Sequence, residues 1–416
     1  MSGTDILQDA IPAAPPRNRW LRVALRMAEM IQIGTLTVVL PDGAIYRVVR
    51  SPSPAATVVL KDARAAKRLI LGGSLGLAEA YIEGLWESPS ILDVMELSAV
   101  NEPYWVGILN GKPWMRFLAK LAHKLRPNTR KGAARNIVDH YDLGNDFYRE
   151  WLDPSMAYSA AIFEHPAENL ETAQIRKMRS LCDMLELKPG MRVLEIGCGW
   201  GGFAEVAARD YGCHVVGVTL SPSQLAYAQD RIEKAQLAHM VEFRLQDYRD
   251  TTGQFDRIAS IEMFEAVGEE YWPAYFATLK ARLLPGGRAG LQVITIVDEL
   301  FENYRTGADF IQRHIFPGGM LPSPSALAKQ YAQAGLTEIR ARWFGQDYAE
   351  TLARWNTAFQ AAWPRIVQST RLQTRPCDIT FTRMWEYYLA YCETGFRAGW
   401  TDVGQILLEP TSPAPA

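Results

Sequence analysis

The amino-acid sequence predicts an α/β fold, in which a doubly wound, mostly parallel sheet with a helical cap accompanies a smaller N-terminal α+β domain. In the second half of the chain, apolar strand-like runs alternate with helical patterns, and this βαβα order is typical of a parallel sheet. The first of these strands runs directly into a glycine-rich turn. With 416 residues, the chain exceeds what one hydrophobic core usually organises, which favours two domains.

The N-terminal part contains two predicted strands from Leu36 onward, because β-branched runs flank a Pro-Asp-Gly turn at residues 41–43. Helical spacing follows over Ala63–Leu71 and Leu75–Glu83. The predicted organisation of the chain is a tail at 1–20, the α+β domain at 21–110, a linker at 111–135, the doubly wound domain at 136–405 and a tail at 406–416.

The predicted linker is strongly basic. Residues 112–135 carry eight basic side chains and no acidic one, and apolar residues such as Trp114, Phe117 and Leu121 recur at helical spacing. A basic amphipathic helix of this kind is typical of segments that lie on anionic lipid headgroups. It is equally typical of a linker helix packed on one side, and the two interpretations are compatible.

Composition excludes several classes of protein. Hydrophobic residues make up 48% and charged residues 22%, with a net charge of -2, so the overall charge does not favour nucleic acid as a partner. The N-terminus lacks the pattern of a secretory signal, and no run of about 18 apolar residues occurs. Five cysteines without CxxC spacing indicate a reducing compartment, and the six histidines predict no metal site. We therefore expect a cytoplasmic protein whose membrane contact, if any, is peripheral.

The doubly wound domain begins with a strand that leads into the cofactor turn. Its predicted strands are Arg192–Ile196, Val215–Val218, Val241–Leu245, Arg257–Ile261 and Arg288–Ile296. Helices are predicted from Gly202 and from Ser221, and ligands of such sheets bind beyond the carboxyl ends of the strands. From Asn303 onward, aromatic residues and helical patterns predict a cap over that edge.

Two strand ends narrow the choice of ligand. The second strand ends near Thr219 without the acidic residue that a nicotinamide enzyme uses on the ribose hydroxyl, which disfavours NAD. Asp247 and Tyr248 follow the third strand, where an acid could hydrogen-bond and an aromatic ring could stack on adenine.

Together these residues resemble class I S-adenosylmethionine-dependent methyltransferases, and more narrowly the cyclopropane-fatty-acyl-phospholipid synthase family, which includes the mycolic acid cyclopropane synthases. Six motifs in the same order carry the resemblance: HYDLGNDFY at 140–148, LDPSMAYS at 152–159, EIGCGWG at 195–201, TLS at 219–221, FEAVG at 264–268 and IFPGG at 315–319. The N-terminal region also resembles the extra domain of the phospholipid-acting members. This implies an S-adenosylmethionine-dependent methyltransferase domain with an acyl-chain-binding cap, acting on a membrane phospholipid.

The resemblance also implies the cofactor contacts. Tyr158 and Ser159 would cover the methionine part of S-adenosylmethionine, and Thr219 to Gln224 would line its ribose and adenine side. The remaining implied contacts are Glu195, Gly197, Gly199 and Gly201 in the turn, and Asp247 and Tyr248 beside the adenine.

Methylation of an alkene leaves a carbocation, so a proton acceptor must lie near the methyl group. In the family this acceptor is thought to be a bound bicarbonate. The resemblance implies that Glu265 and Tyr348 hold the anion and that Ile294 offers it a backbone group.

Two positions depart from the family pattern. Ala160 stands where the family has a cysteine, and Gln292 stands at the family histidine, although its amide can still donate a hydrogen bond. These changes put the bicarbonate site in doubt. Proton loss from the methyl carbon would give a cyclopropane, and proton loss from the neighbouring chain carbon would give a methyl- or methylene-branched chain. The frequency of cyclopropanation in the family favours the ring.

Three alternatives stay open from the sequence. The same fold could methylate a small soluble substrate, because fold does not fix function. A lipid-binding or regulatory protein that keeps a cofactor fold without turnover is the non-enzymatic alternative. The oligomeric state is undetermined, and a homodimer is one option.

Overall fold

A computed structural model of the protein describes residues 16–109, 143–307, 309–368 and 378–411. The predicted linker, including the basic segment at 112–135, lies outside the described residues. The described residues form two compact units. The first contains residues 16–109, 307, 309–310 and 378–398, and the second contains residues 143–306, 311–368 and 399–411.

The helices in chain order are α1 Arg19–Ala28, α2 Arg64–Ile82, α3 Ile91–Val100, α4 Glu102–Leu109, α5 Asn145–Arg149, α6 Leu170–Met184, α7 Gly202–Tyr211, α8 Pro222–Lys234, α9 Trp272–Arg282, α10 Asp298–Thr306, α11 Phe310–His314, α12 Pro324–Gln333, α13 Gly345–Gln368 and α14 Ile379–Arg397. The strands are β1 Thr35–Val39, β2 Ile45–Val49, β3 Ala55–Leu60, β4 Trp86–Glu87, β5 Arg192–Ile196, β6 His214–Thr219, β7 Val241–Leu245, β8 Phe255–Ile261, β9 Leu283–Ile296, β10 Leu336–Trp343 and β11 Thr401–Pro410. None of these described helices is long and apolar enough to cross a membrane.

The first unit is built on a four-stranded sheet in the order β2-β1-β3-β4. Strands β1 and β2 pair antiparallel across the turn at 41–43, which confirms the predicted pair. The two predicted helical stretches form one helix, α2, with a break at Gly73, whose φ is 62°. The C-terminal helix α14 also packs in this unit, where the Tyr81 hydroxyl donates to the Glu386 carboxylate at 2.7 Å. The sequence does not indicate that residues 378–398 belong to the first unit.

The second unit contains a seven-stranded sheet in the order β10-β11-β9-β8-β5-β6-β7. The five strands from β9 to β7 in this order pair in parallel, as predicted. On one face, apolar residues of α6, α7 and α8 form a core that includes Leu181, Phe203 and Ala228. On the other face, α9 and α12 contribute Phe276 and Leu327 to a second core. Helices on both faces confirm the doubly wound α/β class.

The C-terminal part differs from the predicted helical cap by two strands. β11 pairs antiparallel with β9, and β10 pairs antiparallel with β11 at the sheet edge. Six consecutive residues of β11 are buried, so the strand lacks the alternating pattern that would distinguish it from a buried helix. The alternation of β10 is weak because most of its side chains are exposed.

Chain order reverses at β5, which lies between β6 and β8. In doubly wound sheets, ligands bind at such a switch point, outside the carboxyl ends of the strands. A ligand site is therefore expected at the segments that follow β5 and β8.

Candidate active site

The turn after β5 folds tightly against the neighbouring strand. The backbone N–H groups of Gly197 and Cys198 both donate to the Val218 carbonyl at 3.0 Å, and Gly201 N–H donates to the Cys198 carbonyl at 2.9 Å. Helix α7 then begins at Gly202 without a side-chain cap. Its first N–H groups consequently lack a side-chain partner from the capping position.

Two glycines of this turn have different surroundings. Gly199 has φ 50°, and a β-carbon added there would meet no protein atom within 4 Å. A β-carbon at Gly197, with φ 82°, would lie 2.8 Å from the Met263 side chain. Gly199 thus faces free space at the switch point, whereas Gly197 packs against the segment after β8.

Glu195 is an acidic residue of β5 and lies just before the glycine-rich turn. Its side chain is buried, and its Oε2 has no hydrogen-bond partner among the described residues. Burial raises the pKa of Glu195 to about 8, and the charge of Lys177 opposes that rise. A buried polar atom without a protein partner suits a ligand that can form a hydrogen bond with it.

The ends of β6 and β7 hold the predicted ribose and adenine residues. The Thr219 hydroxyl donates to the Gln224 amide oxygen at 3.0 Å. Both Asp247 carboxylate oxygens accept hydrogen bonds from Arg249, at 2.8 and 2.6 Å. Tyr248 packs edge-on against Tyr275, and its hydroxyl has no partner among the described residues. An adenine bound to Asp247 would therefore share oxygens that Arg249 already occupies.

The segment 157–161 contains Tyr158 and Ser159, the predicted contacts of the methionine part. The Tyr158 ring packs against Tyr148, Trp151 and Trp355 with centroid distances of 5.2 to 5.7 Å. The Ser159 hydroxyl accepts a hydrogen bond from the buried Lys177 ammonium group. Burial lowers the pKa of Lys177 to about 8, while the nearby carboxylates oppose this effect.

The centre of the cluster is Glu262, the first residue after β8. Its Oε1 accepts from the Ala160 N–H and from the Gln292 amide, both at 2.8 Å. Its Oε2 accepts from the Tyr348 hydroxyl at 2.7 Å. Burial raises the pKa of Glu262, whereas the charge of Lys177 and the hydrogen bonds from Ala160, Gln292 and Tyr348 oppose the rise.

Glu262 also has an unusual backbone. Its φ is 47°, in the left-handed region, which costs an L-residue with a β-carbon roughly 1–2 kcal/mol. Strain of this kind persists where the surroundings hold the residue in place, and it occurs often at functional sites.

A chain of amides fixes which atom Gln292 presents to Glu262. The Gln405 amide nitrogen donates to the Lys177 carbonyl at 2.9 Å and to the Gln292 amide oxygen at 3.1 Å. Because a carbonyl can only accept, Gln405 must present its NH₂ group on this side. Gln292 then directs its own NH₂ group to Glu262 and to the Ala160 carbonyl.

Glu265 lies on the single turn of 3₁₀ helix that follows. Its Oε1 accepts from the Ile294 N–H at 2.5 Å, and its Oε2 has no partner among the described residues. Burial, and then the charge of Glu262, raises the pKa of Glu265 to about 8. Its backbone carbonyl accepts from the N–H of Met320, the residue after the IFPGG motif, at 2.8 Å.

The comparisons with known proteins show the family to which the chain belongs. Residues 128–406 match the family described as mycolic acid cyclopropane synthetase. The chain belongs to this family.

Two relatives cover most of the chain. It is 37% identical over 382 residues to tuberculostearic acid methyltransferase UfaA1 of Mycobacterium tuberculosis, which covers 90% of this chain and 87% of the relative. It is 38% identical over 364 residues to the cyclopropane-fatty-acyl-phospholipid synthase of Escherichia coli K12, covering 85% of this chain and 88% of that enzyme.

Solved structures match about two thirds of the chain. The cyclopropane synthase MmaA2 from Mycobacterium tuberculosis superposes with a TM-score of 0.61 at 32% identity, over 66% of this chain and 97% of that one. The mycolic acid cyclopropane synthase CmaA1, solved with SAH and CTAB, gives a TM-score of 0.61 at 33% identity, over 66% and 97%. This member of the cyclopropane synthetase family is thus an S-adenosylmethionine-dependent methyltransferase.

The residues present fit S-adenosylmethionine. The free space at Gly199, the orphaned Glu195 oxygen and the unpartnered Tyr248 hydroxyl all lie at the ends of β5 and β7. The cofactor supplies an electrophilic methyl group, and these residues would hold and orient it. Among the described residues, no cluster of histidine, cysteine or acidic side chains could bind a metal ion.

The structure groups the predicted catalytic residues in two pairs. Gln292 and Tyr348 both contact Glu262, whereas Ile294 contacts Glu265. Ile294 was expected to offer a backbone group to a bound anion, but its N–H donates to the protein's own carboxyl group.

Sequence reasoning missed Glu262, Lys177 and Gln405. For Glu262 a signal existed, because the residue is an acid at the first position after a strand of the switch point. Its two neighbours, Ala160 and Gln292, are also the positions at which this chain lacks the cysteine and the histidine of the family pattern.

Proposed function

We propose that this enzyme transfers the methyl group of S-adenosylmethionine to the double bond of an unsaturated fatty acyl chain in a membrane phospholipid. The reaction proceeds through a carbocation on the acyl chain, and its product is a cyclopropane fatty acid. The alternative product is a methyl- or methylene-branched chain from the same cation.

The observation that supports this chemistry best is the position of the acidic cluster beside the cofactor turn. β5 and β8 are neighbours in parallel register, so the segments that follow them meet at one edge of the sheet. Met263, between the two glutamates of the cluster, packs where a side chain at Gly197 would lie. An alkene is a weak nucleophile, so its methylation requires close positioning of the methyl donor, together with an acceptor for the proton.

The N-terminal unit supports a phospholipid substrate. The solved mycolic acid enzymes cover 66% of this chain, although 97% of their own length is matched. The relative named for a fatty-acyl-phospholipid product covers 85%. The extra region shared with that relative supports a phospholipid as the substrate.

Two observations keep the branched product as a second candidate. Ala160 and Gln292 replace ionisable family residues beside the proton acceptor, and acceptor position decides which proton leaves. In addition, a relative that matches 90% of the chain is named for tuberculostearic acid rather than for a cyclopropane.

Lipid mass spectrometry tests the proposal and separates the products. We expect a host that expresses the enzyme to gain one CH₂ on its unsaturated phospholipid acyl chains, compared with the same host carrying an empty vector. Fragmentation distinguishes a ring from a branch. The purified enzyme should transfer methyl groups to unsaturated phospholipid vesicles and not to saturated ones.

Unchanged acyl chains in the host, together with no transfer to vesicles by an enzyme that binds S-adenosylmethionine, would reject the function. Transfer to a soluble acceptor in the absence of lipid would instead support the small-substrate alternative.

A further inference from the structure

Carbocation chemistry requires a base close to the acyl chain, and the described part of the structure contains a carboxylate suited to that task. The groups expected from the sequence to surround a bound anion were Glu265, Tyr348, Gln292, Ile294 and the segment at Ala160. Three of these five instead donate hydrogen bonds to Glu262. The side chain of the protein therefore occupies the place expected for bicarbonate.

We propose that the carboxylate of Glu262 is the proton acceptor of the reaction and that the enzyme needs no exogenous anion. This inference rests on the proposed function. It assigns a catalytic role to the first residue after β8. Strand β8 pairs with β5, which leads into the cofactor turn.

The hydrogen bonds around Glu262 match an ionised carboxylate. All three partners donate: the Ala160 N–H cannot accept, and the Gln292 amide is oriented by Gln405 to present its NH₂ group. A proton on Oε1 would meet two N–H donors, and the Tyr348 hydroxyl donates to Oε2. Burial raises the pKa of Glu262, and the charge of buried Lys177 opposes that rise.

Glu262 keeps one acceptor position for the proton. A carboxylate offers about four lone-pair directions, of which the described donors use three: two on Oε1 and one on Oε2. Part of its surface is accessible although the group lies deep enough for burial to dominate its pKa. The remaining lone pair of Oε2 can therefore meet a substrate in the interior.

The step balances in atoms and charge. The π electron pair of the alkene forms the new C–C bond as the C–S bond of the sulfonium breaks, which leaves a neutral thioether and a cation on the adjacent chain carbon. Glu262 Oε2 takes one proton, and the C–H electron pair either closes the three-membered ring or forms a new double bond. The resulting carboxylic acid releases its proton to solvent before the next turnover.

The decisive variant is Glu262→Gly, because glycine adopts a φ of 47° without strain and leaves a space the size of a small carboxylate. Turnover on unsaturated phospholipid vesicles should fall by roughly a hundredfold or more in buffer freed of dissolved CO₂. Formate or bicarbonate should restore it in a saturable manner. Glu262→Gln should be equally impaired and not rescued, because its amide fills the space.

Two measurements separate this role from a structural one. Affinity for S-adenosylmethionine should be unchanged in both variants. The matched control is Glu186→Gly, which makes the same substitution at an exposed residue with φ 52° outside the cluster, and its activity should equal that of the unmodified enzyme in every buffer.

The unmodified enzyme provides a test that does not depend on folding of any variant. Its turnover should be the same with and without bicarbonate. Loss of turnover when bicarbonate is removed would overturn the role of Glu262 while leaving the proposed function intact. Near-normal turnover of Glu262→Gly without any added carboxylate would overturn it as well. Absence of methyl transfer by the unmodified enzyme would reject the function itself.

Discussion

At the residue scale, two nearby glutamates have different hydrogen-bond surroundings. Burial raises the pKa of Glu262, whereas the charge of Lys177 and three hydrogen-bond donors oppose that rise. Glu265 has a single backbone donor, and burial, followed by the charge of Glu262, raises its pKa to about 8, so it keeps its proton at neutral pH. Carboxyl groups in unlike surroundings are typical of sites that transfer protons.

The raised pKa of Glu265 predicts how stability depends on pH. The folded protein keeps a proton that the unfolded chain releases near pH 4.5, so Glu265 lowers stability progressively as pH rises from about 4.5 to about 8. Glu265→Gln removes this loss, which is at most about 5 kcal/mol. We expect its melting temperature to exceed that of the unmodified enzyme by a margin that grows over this window and is constant above it.

Thermal unfolding at several pH values measures that margin. Glu186→Gln is the control, because the Arg288 side chain lowers the pKa of the exposed Glu186, and loss of that pair should not stabilise the protein at any pH. A margin for Glu265→Gln that does not change with pH would mean that Glu265 is ionised in the folded enzyme.

Sequence alone could locate residues that lie in a local motif, but it could not indicate neighbours that are set by tertiary contacts. Gln292 and Tyr348 were predicted as neighbours of one anion, and they do converge on one carboxylate. That the carboxylate belongs to Glu262 depends on the segment at Ala160 reaching across from residues far away in sequence. No local pattern contains that contact.

At the element scale, the β5 turn and the first residues of α7 form the part of the site that sequence predicted best. The bounds of β5 and the start of α7 agree with the predicted residues. An apolar run that ends in glycines is a local signal, whereas β10 and β11 owe their place to pairing with β9. Pairing between strands that are far apart in the chain produces no local pattern in a single sequence.

Gly199→Val tests the cofactor turn as an element. A valine there requires an unfavourable φ of 50° and projects into free space that the ligand is expected to occupy, so affinity for S-adenosylmethionine should fall below detection by calorimetry. Gly253→Val is the matched control, since Gly253 also has positive φ and no atom near its β-carbon position, but lies in the loop before β8. It should destabilise the protein to a similar degree and leave affinity unchanged.

Retention of affinity by Gly199→Val would remove the turn from the binding site. A loss of affinity in both variants would show that backbone strain, and not occupation of the ligand space, is responsible.

At the scale of the whole molecule, the two units differ in what they contribute to the site. Every described side chain of the site belongs to the second unit. The first unit includes helix α14 from the C-terminal part, so the chain returns to it after completing most of the second unit. Composition could suggest two domains, but it could not indicate that one of them is assembled from separated segments.

The whole molecule has a net charge of only -2, so attraction to an anionic membrane would have to come from a local concentration of basic residues. The segment 112–135 has that character and stays a prediction, because it lies outside the described residues. Each basic residue near an anionic surface contributes about 1 kcal/mol. Reversal of Lys120, Lys124 and Arg126 to Glu should therefore weaken binding to anionic vesicles by at least about 3 kcal/mol, or roughly a hundredfold.

Vesicle co-sedimentation at increasing salt measures this effect, and binding by the unmodified enzyme should weaken as salt screens the surface charge. The control reverses Lys188, Lys329 and Arg340, which are exposed on the second unit, so that the net charge changes by the same amount. This control should lose much less vesicle affinity, and both triple variants should bind S-adenosylmethionine normally. If vesicle binding ignores salt, or if the two triple variants lose it equally, segment 112–135 is not the membrane contact, and the lipid must reach the acidic cluster from another surface of the enzyme.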